Sequence, residues 1–208
     1  NPRFNPPLLA RYRVMAGAVP AAARMLLDAG CGDGYLLYCI SRTRHSVQLH
    51  GIDALEDAIR LARSQLGSHQ CNAFLQTASV CALPFHGALF DTVCMADIIE
   101  HLPEPEQALE ECRRVLKKDG LLLLSTPNRQ PGGCWDRLHV REFTPGELEA
   151  LCGKYFTRVS IKACWHMRLF RTWQQGGRLR QLINFIARAG CNPFAWQTAT
   201  PTLAYGQL

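Results

Sequence analysis

The 208 residues are 48% hydrophobic, enough to bury one good core in a single domain, and they contain neither internal repeats nor a low-complexity segment. No apolar run approaches the roughly eighteen residues that span a bilayer, which excludes a transmembrane helix. The formal net charge of +6 is unevenly spread: residues 1–149 hold 15 basic and 17 acidic side chains, and residues 150–208 hold eight basic ones and no acid.

That asymmetry points to an anionic partner: a phosphate-bearing substrate, nucleic acid or a membrane surface. The ten cysteines contain no C-x-x-C pair, and Cys39, Cys94, Cys152 and Cys164 fall inside apolar segments. They read as buried reduced thiols rather than zinc ligands. With no signal-peptide pattern, this predicts a cytoplasmic protein. The opening on Asn1 rather than Met predicts residues upstream of it.

"PPLLARYRVMAGAV" reads as an amino-terminal helix starting at Pro6-Pro7. Next comes "MLLDAGCGDGYLLYCIS", Met25 to Ser41, in which a buried strand ends at Asp28 and Gly30, Gly32 and Gly34 follow at alternate positions. Such a bend needs glycine, and a helix begins after it, so a nucleotide-sized crevice opens at the carboxyl end of the first strand. A P-loop would need Gly-Lys-Ser/Thr, whereas Gly34 precedes Tyr35 and Leu36. A dinucleotide fingerprint needs a third small residue where this chain has Tyr35 or Leu37. The Asp28 carboxylate would repel a pyrophosphate and suits a ligand carrying an ammonium group.

Further strands are expected near 48–52, 73–77, 91–96 and 121–126, alternating with helices, which argues a mainly parallel doubly wound sheet. "EPEQALEECRRVLKKDG" is a helix with Pro105 at its start, Lys117 and Lys118 at its negative end, and Gly120 as its stop. "TPGELEALCGKYF" opens with the Thr144/Glu147 spacing of a capping box. A strand in "RVSIKACW" follows, then an insertion over about residues 166–198. Within it, Leu179, Leu182, Ile183 and Ile186 recur at helical spacing, with Arg178, Gln181 and Arg188 on another face and Trp165, Phe170 and Trp173 ahead. That is a basic amphipathic helix able to pack on the sheet, cap a pocket or lie on a bilayer.

Asp28, Gly30, Gly32 and Gly34 fill all four positions of D/E-x-G-x-G-x-G, and the chain thereby resembles the class I S-adenosylmethionine-dependent methyltransferases. "QLHGIDALEDAIRLAR" ends a strand in Asp53, nineteen positions beyond Gly34, where an acid can accept both ribose hydroxyls. "SVCALPFHGALFDTVCMADIIEHL" is similar to the family's third motif and fourth strand. The resemblance covers roughly residues 25–130. It implies a Rossmann-like α/β fold: a doubly wound, mainly parallel seven-stranded sheet, helices on both faces, and an antiparallel closing strand near "PTLAYGQL". The implied organisation is one domain, with a helix over the pocket (1–24), a donor-binding core (25–130) and a cap (166–198).

The cofactor implied is S-adenosyl-L-methionine, with S-adenosyl-L-homocysteine as its product. Its implied contacts are Asp28, Gly30, Cys31, Gly32, Gly34, Asp53, Ala54, Ser79, Val80, Ala96 and Asp97, with Ala54 and Leu55 against adenine. Ser79 stands where the family usually has an Asp that accepts from the adenine amino group, and a hydroxyl can still do so.

A hydroxyl acceptor must lose its proton to a base or with a metal's help. The loop "MADIIEHLPEP" supplies Asp97, Glu100 and His101, and "LHVREFTPGEL" supplies His139. This pattern is similar to ubiquinone-biosynthesis O-methyltransferases and to small-RNA 3′-terminal 2′-O-methyltransferases, whose acids and histidines hold a divalent metal. Asp97, Glu100, His101 and His139 would make such a site for magnesium, manganese or zinc. The same E-H-L-P also occurs in methyltransferases that use no metal. There Glu and His cap turns or shape the pocket, and His101 or His139 is then the candidate base. Trp135 and Arg141 are candidate substrate-lining residues.

Three functions are open at this point. The first is methyl transfer to a small molecule, chiefly at oxygen, with a phenol, quinone precursor, sugar or lipid-linked acceptor. The second is methylation of a terminal RNA ribose, favoured by the basic carboxyl end. The third is a nucleoside-binding module without turnover.

Overall fold

The structure, a computed structural model, describes residues 5–129, 136–162, 169, 173–195 and, as backbone only, 204–207. In chain order the elements are α1 (Pro6–Ala18), β1 (Met25–Ala29), α2 (Tyr35–Ser41), β2 (Gln48–Asp53), α3 (Glu56–Ser68), β3 (Phe74–Thr77) and β4 (Phe90–Ala96). A 3₁₀ turn at Ile99–His101 precedes α4 (Pro105–Val115), β5 (Leu116–Ser125), α5 (Pro145–Cys152), β6 (Arg158–Ile161), α6 (Gly177–Arg188) and β7 (Ala204–Gln207).

Five strands run parallel in the order β3-β2-β1-β4-β5, a Rossmann-like arrangement with β1 at the centre. Covered on both faces, β1 is apolar in nearly every position, and Leu26, Leu27 and Ala29 are fully buried. Alternation then sorts its neighbours. Leu26, Cys94 and Leu123 pack with α1, α2 and α3, while Leu27, Val93, Met95 and Leu122 pack with α4 and α5 on the other face. Asp28 shares the first face and is the acid buried in the central strand. The backbone of β7 lies antiparallel to both β5 and β6, with Tyr205 opposite Leu123 and Ser160.

Asn5 caps α1 through the amide of Leu8 (3.1 Å), and the prolines expected at the helix start occupy its first turn. Arg44 closes the other end, donating to the carbonyl oxygens of Val19 (2.6 Å) and Gly17 (3.1 Å). Tyr12 of α1 stacks on Tyr35 of α2, with 6.1 Å between ring centroids, so α1 is held directly over the turn that follows β1.

The helix expected to run to Gly120 stops at Val115. Leu116 is extended (φ −71, ψ 140) and pairs with Phe90, while Lys117 reaches across to Asp91 (2.7 Å) instead of the helix end. Asp119, left-handed at φ 63, and Gly120 then re-aim the chain into the body of β5. Arg113 and Arg114 serve the last helical turn in place of the lysines.

Cys31, Cys39, Cys94, Cys112 and Cys152 are buried with free thiols, as the apolar context of the sequence predicts, whereas Cys191 is exposed. Cys164 lies outside the described residues. No described helix is long and apolar enough to cross a membrane.

Candidate active site

The first half of the site is the turn between β1 and α2. Gly30, Gly32 and Gly34 all have positive φ (86, 52 and 79), a backbone that side chains resist. A Cβ at Gly30 would lie 2.2 Å from Ile98 Cδ1, so that position has no room, whereas one at Gly32 would meet nothing within 4 Å. Gly32 thus faces open space, where a ligand can approach the backbone. The turn is tied to the second strand: the amides of Gly30 and Cys31 both donate to the carbonyl of Ile52 at 2.8 Å. Asp53 completes the tie, its Oδ2 accepting from the Gly32 amide (3.0 Å) and its Oδ1 from the Leu55 amide (2.9 Å). Each of these oxygens keeps another lone pair for a ligand hydroxyl.

Asp28 lies at the carboxyl end of β1, just ahead of this turn. Its side chain is buried and neither carboxylate oxygen has a hydrogen-bond partner. Burial first, and the nearby carboxylates Asp53 and Asp33 second, push its carboxyl up to about 8.

The second half is the loop after β4. Asp97 has a left-handed backbone (φ 56), unusual for a residue with a side chain and a mark of local strain. Its amide donates to the carbonyl of Ser125 (2.9 Å), and its carboxylate takes the Arg11 guanidinium of α1 and the Ser125 hydroxyl (3.4 Å). Burial raises the Asp97 carboxyl, against the pull of Arg11. Glu100 follows on the 3₁₀ turn and is buried. Its Oε2 accepts from Thr126 (2.9 Å), its Oε1 has no partner, and burial followed by Asp97 raises the carboxyl to about 7.

Glu100 also anchors the distant segment 136–142, because its backbone carbonyl accepts from the amides of Val140 (2.9 Å) and Arg141 (3.1 Å). This clasp brings His139 beside His101, with ring centroids 5.0 Å apart. His101, exposed, has Nδ1 at 3.0 Å from the Leu138 carbonyl; His139, half-buried, has Nδ1 at 2.7 Å from Glu142 Oε1. A carbonyl and a carboxylate both accept, so Nδ1 is the donor in each contact, and Nε2 is the acceptor nitrogen of the corresponding neutral tautomer. One ligand atom each from Glu100, His101 and His139 lie within 4.8 Å of one another.

Asp97 does not join them; its charge is spent on Arg11, so the expected four-ligand set reduces to three. Ser79 is exposed, and its hydroxyl accepts from the Cys81 amide (3.1 Å), which leaves it able to make one further contact. Ala54 sits between Asp53 and the exposed Leu55, while Cys31, Val80 and Ala96 are buried against the core. Arg141 is exposed and lies 5.9 Å from the Phe143 ring centre, and Trp135 lies outside the described residues.

A family model described as a methyltransferase domain matches residues 27–124, from β1 through β5. Over that core, just under half of its length, the chain is similar to the class I S-adenosylmethionine-dependent methyltransferases. It is 36% identical over 137 residues to a Mycobacterium tuberculosis protein named "Probable S-adenosylmethionine-dependent methyltransferase", covering 62% of this chain and 47% of that one. It is 27% identical over 119 residues to a ubiquinone biosynthesis O-methyltransferase of Coxiella burnetii, covering 57% and 50%. The chain thus spans about half the length of these curated relatives. The fold is shared with the YcgJ protein of Bacillus subtilis at a TM-score of 0.65, with 19% identity over 96% of this chain and 95% of that one.

The family's cofactor is S-adenosyl-L-methionine, and the residues present fit it. Orphaned Asp28 wants a cation, Gly32 leaves the backbone open, and Asp53 offers acceptors for paired hydroxyls. Reading the sequence alone missed Arg11, Thr126 and Glu142. Only Glu142 left a signal, as an acid one helical turn from His139 in "HVRE".

Proposed function

We propose that the chain is the catalytic part of a methyltransferase that transfers the methyl group of S-adenosyl-L-methionine to an oxygen of a small acceptor. The acceptor is a phenol, quinone precursor, sugar or lipid-linked hydroxyl. The observation that carries this reading is the anchored pair His101 and His139, with Glu142 behind His139, at the mouth of the β4 loop.

When bound, the cofactor supplies an already activated methyl group. Asp28, the glycine turn and Asp53 hold it, with Ser79, Ala54 and Leu55 toward its base. The protein's remaining task is to set an acceptor oxygen in line and remove its proton. A neutral imidazole with its lone pair on Nε2 accepts that proton, and Glu142 stabilises the imidazolium formed on His139. Arg11 holds Asp97 and fastens α1 over the site. We read residues 1–208 as one domain in which β7 closes a seven-stranded sheet, 1–24 cover the pocket, 25–130 bind the donor, and 166–198 form a cap. The antiparallel pairing of β7 supports that arrangement.

A second reading rests on the unpartnered Glu100 Oε1 beside the two histidines. One carboxylate and two imidazoles suit a divalent cation that would polarise the acceptor hydroxyl, and Glu142 would orient His139 toward it. A ribose 2′-hydroxyl at an RNA end is then an acceptor as well.

The test is calorimetry with S-adenosyl-L-homocysteine, then methyl-transfer screening of phenols, sugars and short RNA with and without magnesium. Binding is expected with the parent and with His101→Ala, which should lose most turnover. Unchanged turnover in His101→Ala on the acceptor found would remove that base. Direct manganese binding by the apoprotein, read by electron paramagnetic resonance and lost in His139→Ala, separates the metal reading from the metal-free one.

A further inference from the structure

We propose that the outer face of α6 docks the protein onto an anionic lipid bilayer. The proposal rests on an orientation fixed from inside. Ile183 is buried against Ala10, Trp173 and Phe194; Asn184 accepts from the Trp173 indole (2.9 Å); and Arg180 lies 4.7 Å from the Trp173 ring centre. These contacts pin one face of the helix to α1 and leave the opposite face outward. That outward face carries Leu182 and Phe185, with Leu179 at its border, and they are 51%, 73% and 49% exposed. Spaced three apart, the three form a ridge along twelve helical residues, flanked by exposed Arg178 and Arg188.

A helix of this length is about 18 Å long and cannot cross a bilayer, but it can lie in the headgroup layer with its apolar ridge down. Charge decides what covers it. The helix itself carries Arg178, Arg180 and Arg188 and no acid, so the ridge is bordered by positive charge of its own element. A second copy of this chain would bring the same charge against itself. Nucleic acid would use the arginines and could stack on Phe185, but it has no use for a row of leucines. An anionic membrane satisfies both features at once, taking the ridge into its acyl boundary and the arginines at its phosphates. The proposal does not depend on the methyl-transfer reading.

The test is flotation of the 208-residue chain with vesicles of phosphatidylcholine alone or mixed with phosphatidylglycerol. We expect binding to the mixed vesicles about tenfold or more tighter than to phosphatidylcholine, and weakened by salt. Leu182→Ser/Phe185→Ser should lose about tenfold or more of that binding with the circular dichroism spectrum unchanged. If that pair misfolds, Leu179→Ser alone should still lower binding measurably. Equal binding by the ridge variants, equal binding to both vesicle types, or binding to an RNA oligonucleotide in place of vesicles would each overturn the proposal. So would a dimer that the ridge variants split while vesicles go unbound.

Discussion

Asp28 is a carboxylic acid kept in the centre of a sheet with no partner, and its energetics follow from that. Its folded-state pKa of about 8 lies far above the ordinary carboxylate value of 3.8. Between those values the folded protein holds a proton that the unfolded chain releases, so stability without ligand falls as pH rises from about 4 to about 8. Asn in its place carries no such penalty. Asp28→Asn should therefore match the parent near pH 4 and exceed it by about 2–5 kcal/mol at pH 8, given about 1.4 kcal/mol per pKa unit and some relaxation of the site. Denaturant unfolding at both pH values measures this, and a parent equal to the variant at pH 8 would show that Asp28 is solvated. With saturating S-adenosyl-L-homocysteine the order should reverse, because the ammonium stabilises the carboxylate and does nothing for the amide. Asp53 behaves oppositely. It holds the turn through Gly32, so Asp53→Ala should both loosen the unliganded turn by about 1 kcal/mol and weaken cofactor binding at least about tenfold in calorimetry.

At the scale of elements, the parts legible in the sequence were those whose signal is local. Alternating glycines, the acid ending β2 and the Thr144/Glu147 capping box each lie within a few residues, and each took the expected place. What escaped were pairings between segments far apart in the chain. The end of α4 misled because Lys117 and Lys118 suit a helix terminus, while the pairing of Leu116 with Phe90 and of Lys117 with Asp91 drew the chain into β5. His139 could be named, but its company could not: the carbonyl of Glu100, forty residues earlier, sets the segment from His139 to Glu142 in place. The Glu142 carboxylate is the inner partner of that segment, and it should govern which nitrogen of His139 carries the proton. In Glu142→Ala, nitrogen NMR should show His139 shifting from its single Nδ1-protonated form to a mixture, with cofactor affinity unchanged and turnover down about 10–100-fold. A His139 signal identical to the parent's would mean the tautomer is set elsewhere.

For the molecule as a whole, the consequential arrangement is the contact between α1 and the segment around α6. Asn192, buried, donates to the carbonyl of Pro6 (2.8 Å) and accepts from the Phe194 amide (3.1 Å), joining the segment after α6 to the first turn of α1. Ala10, Trp173, Ile183 and Phe194 fill the space between them. The same α1 carries Arg11 to Asp97 and Tyr12 to Tyr35, so the segment around α6, the amino-terminal helix and the glycine turn form one mechanical series. Between α1 and the segment around α6 the links are a hydrogen bond and a small apolar cluster, which places that contact among the parts of the fold that open first. Asn192→Ala removes both polar links and should cost about 1–2 kcal/mol, felt locally. Hydrogen exchange should then accelerate in α1 and α6 together, while α4 and α5 on the far face of the sheet keep the parent's protection. Affinity for S-adenosyl-L-homocysteine should fall only a few-fold, because Asp28, the glycine turn and Asp53 hold their places without that contact. Faster exchange in α6 with α1 unchanged would mean that the two helices move independently and that Arg11, Tyr12 and the core side chains of α1 suffice to hold it in place.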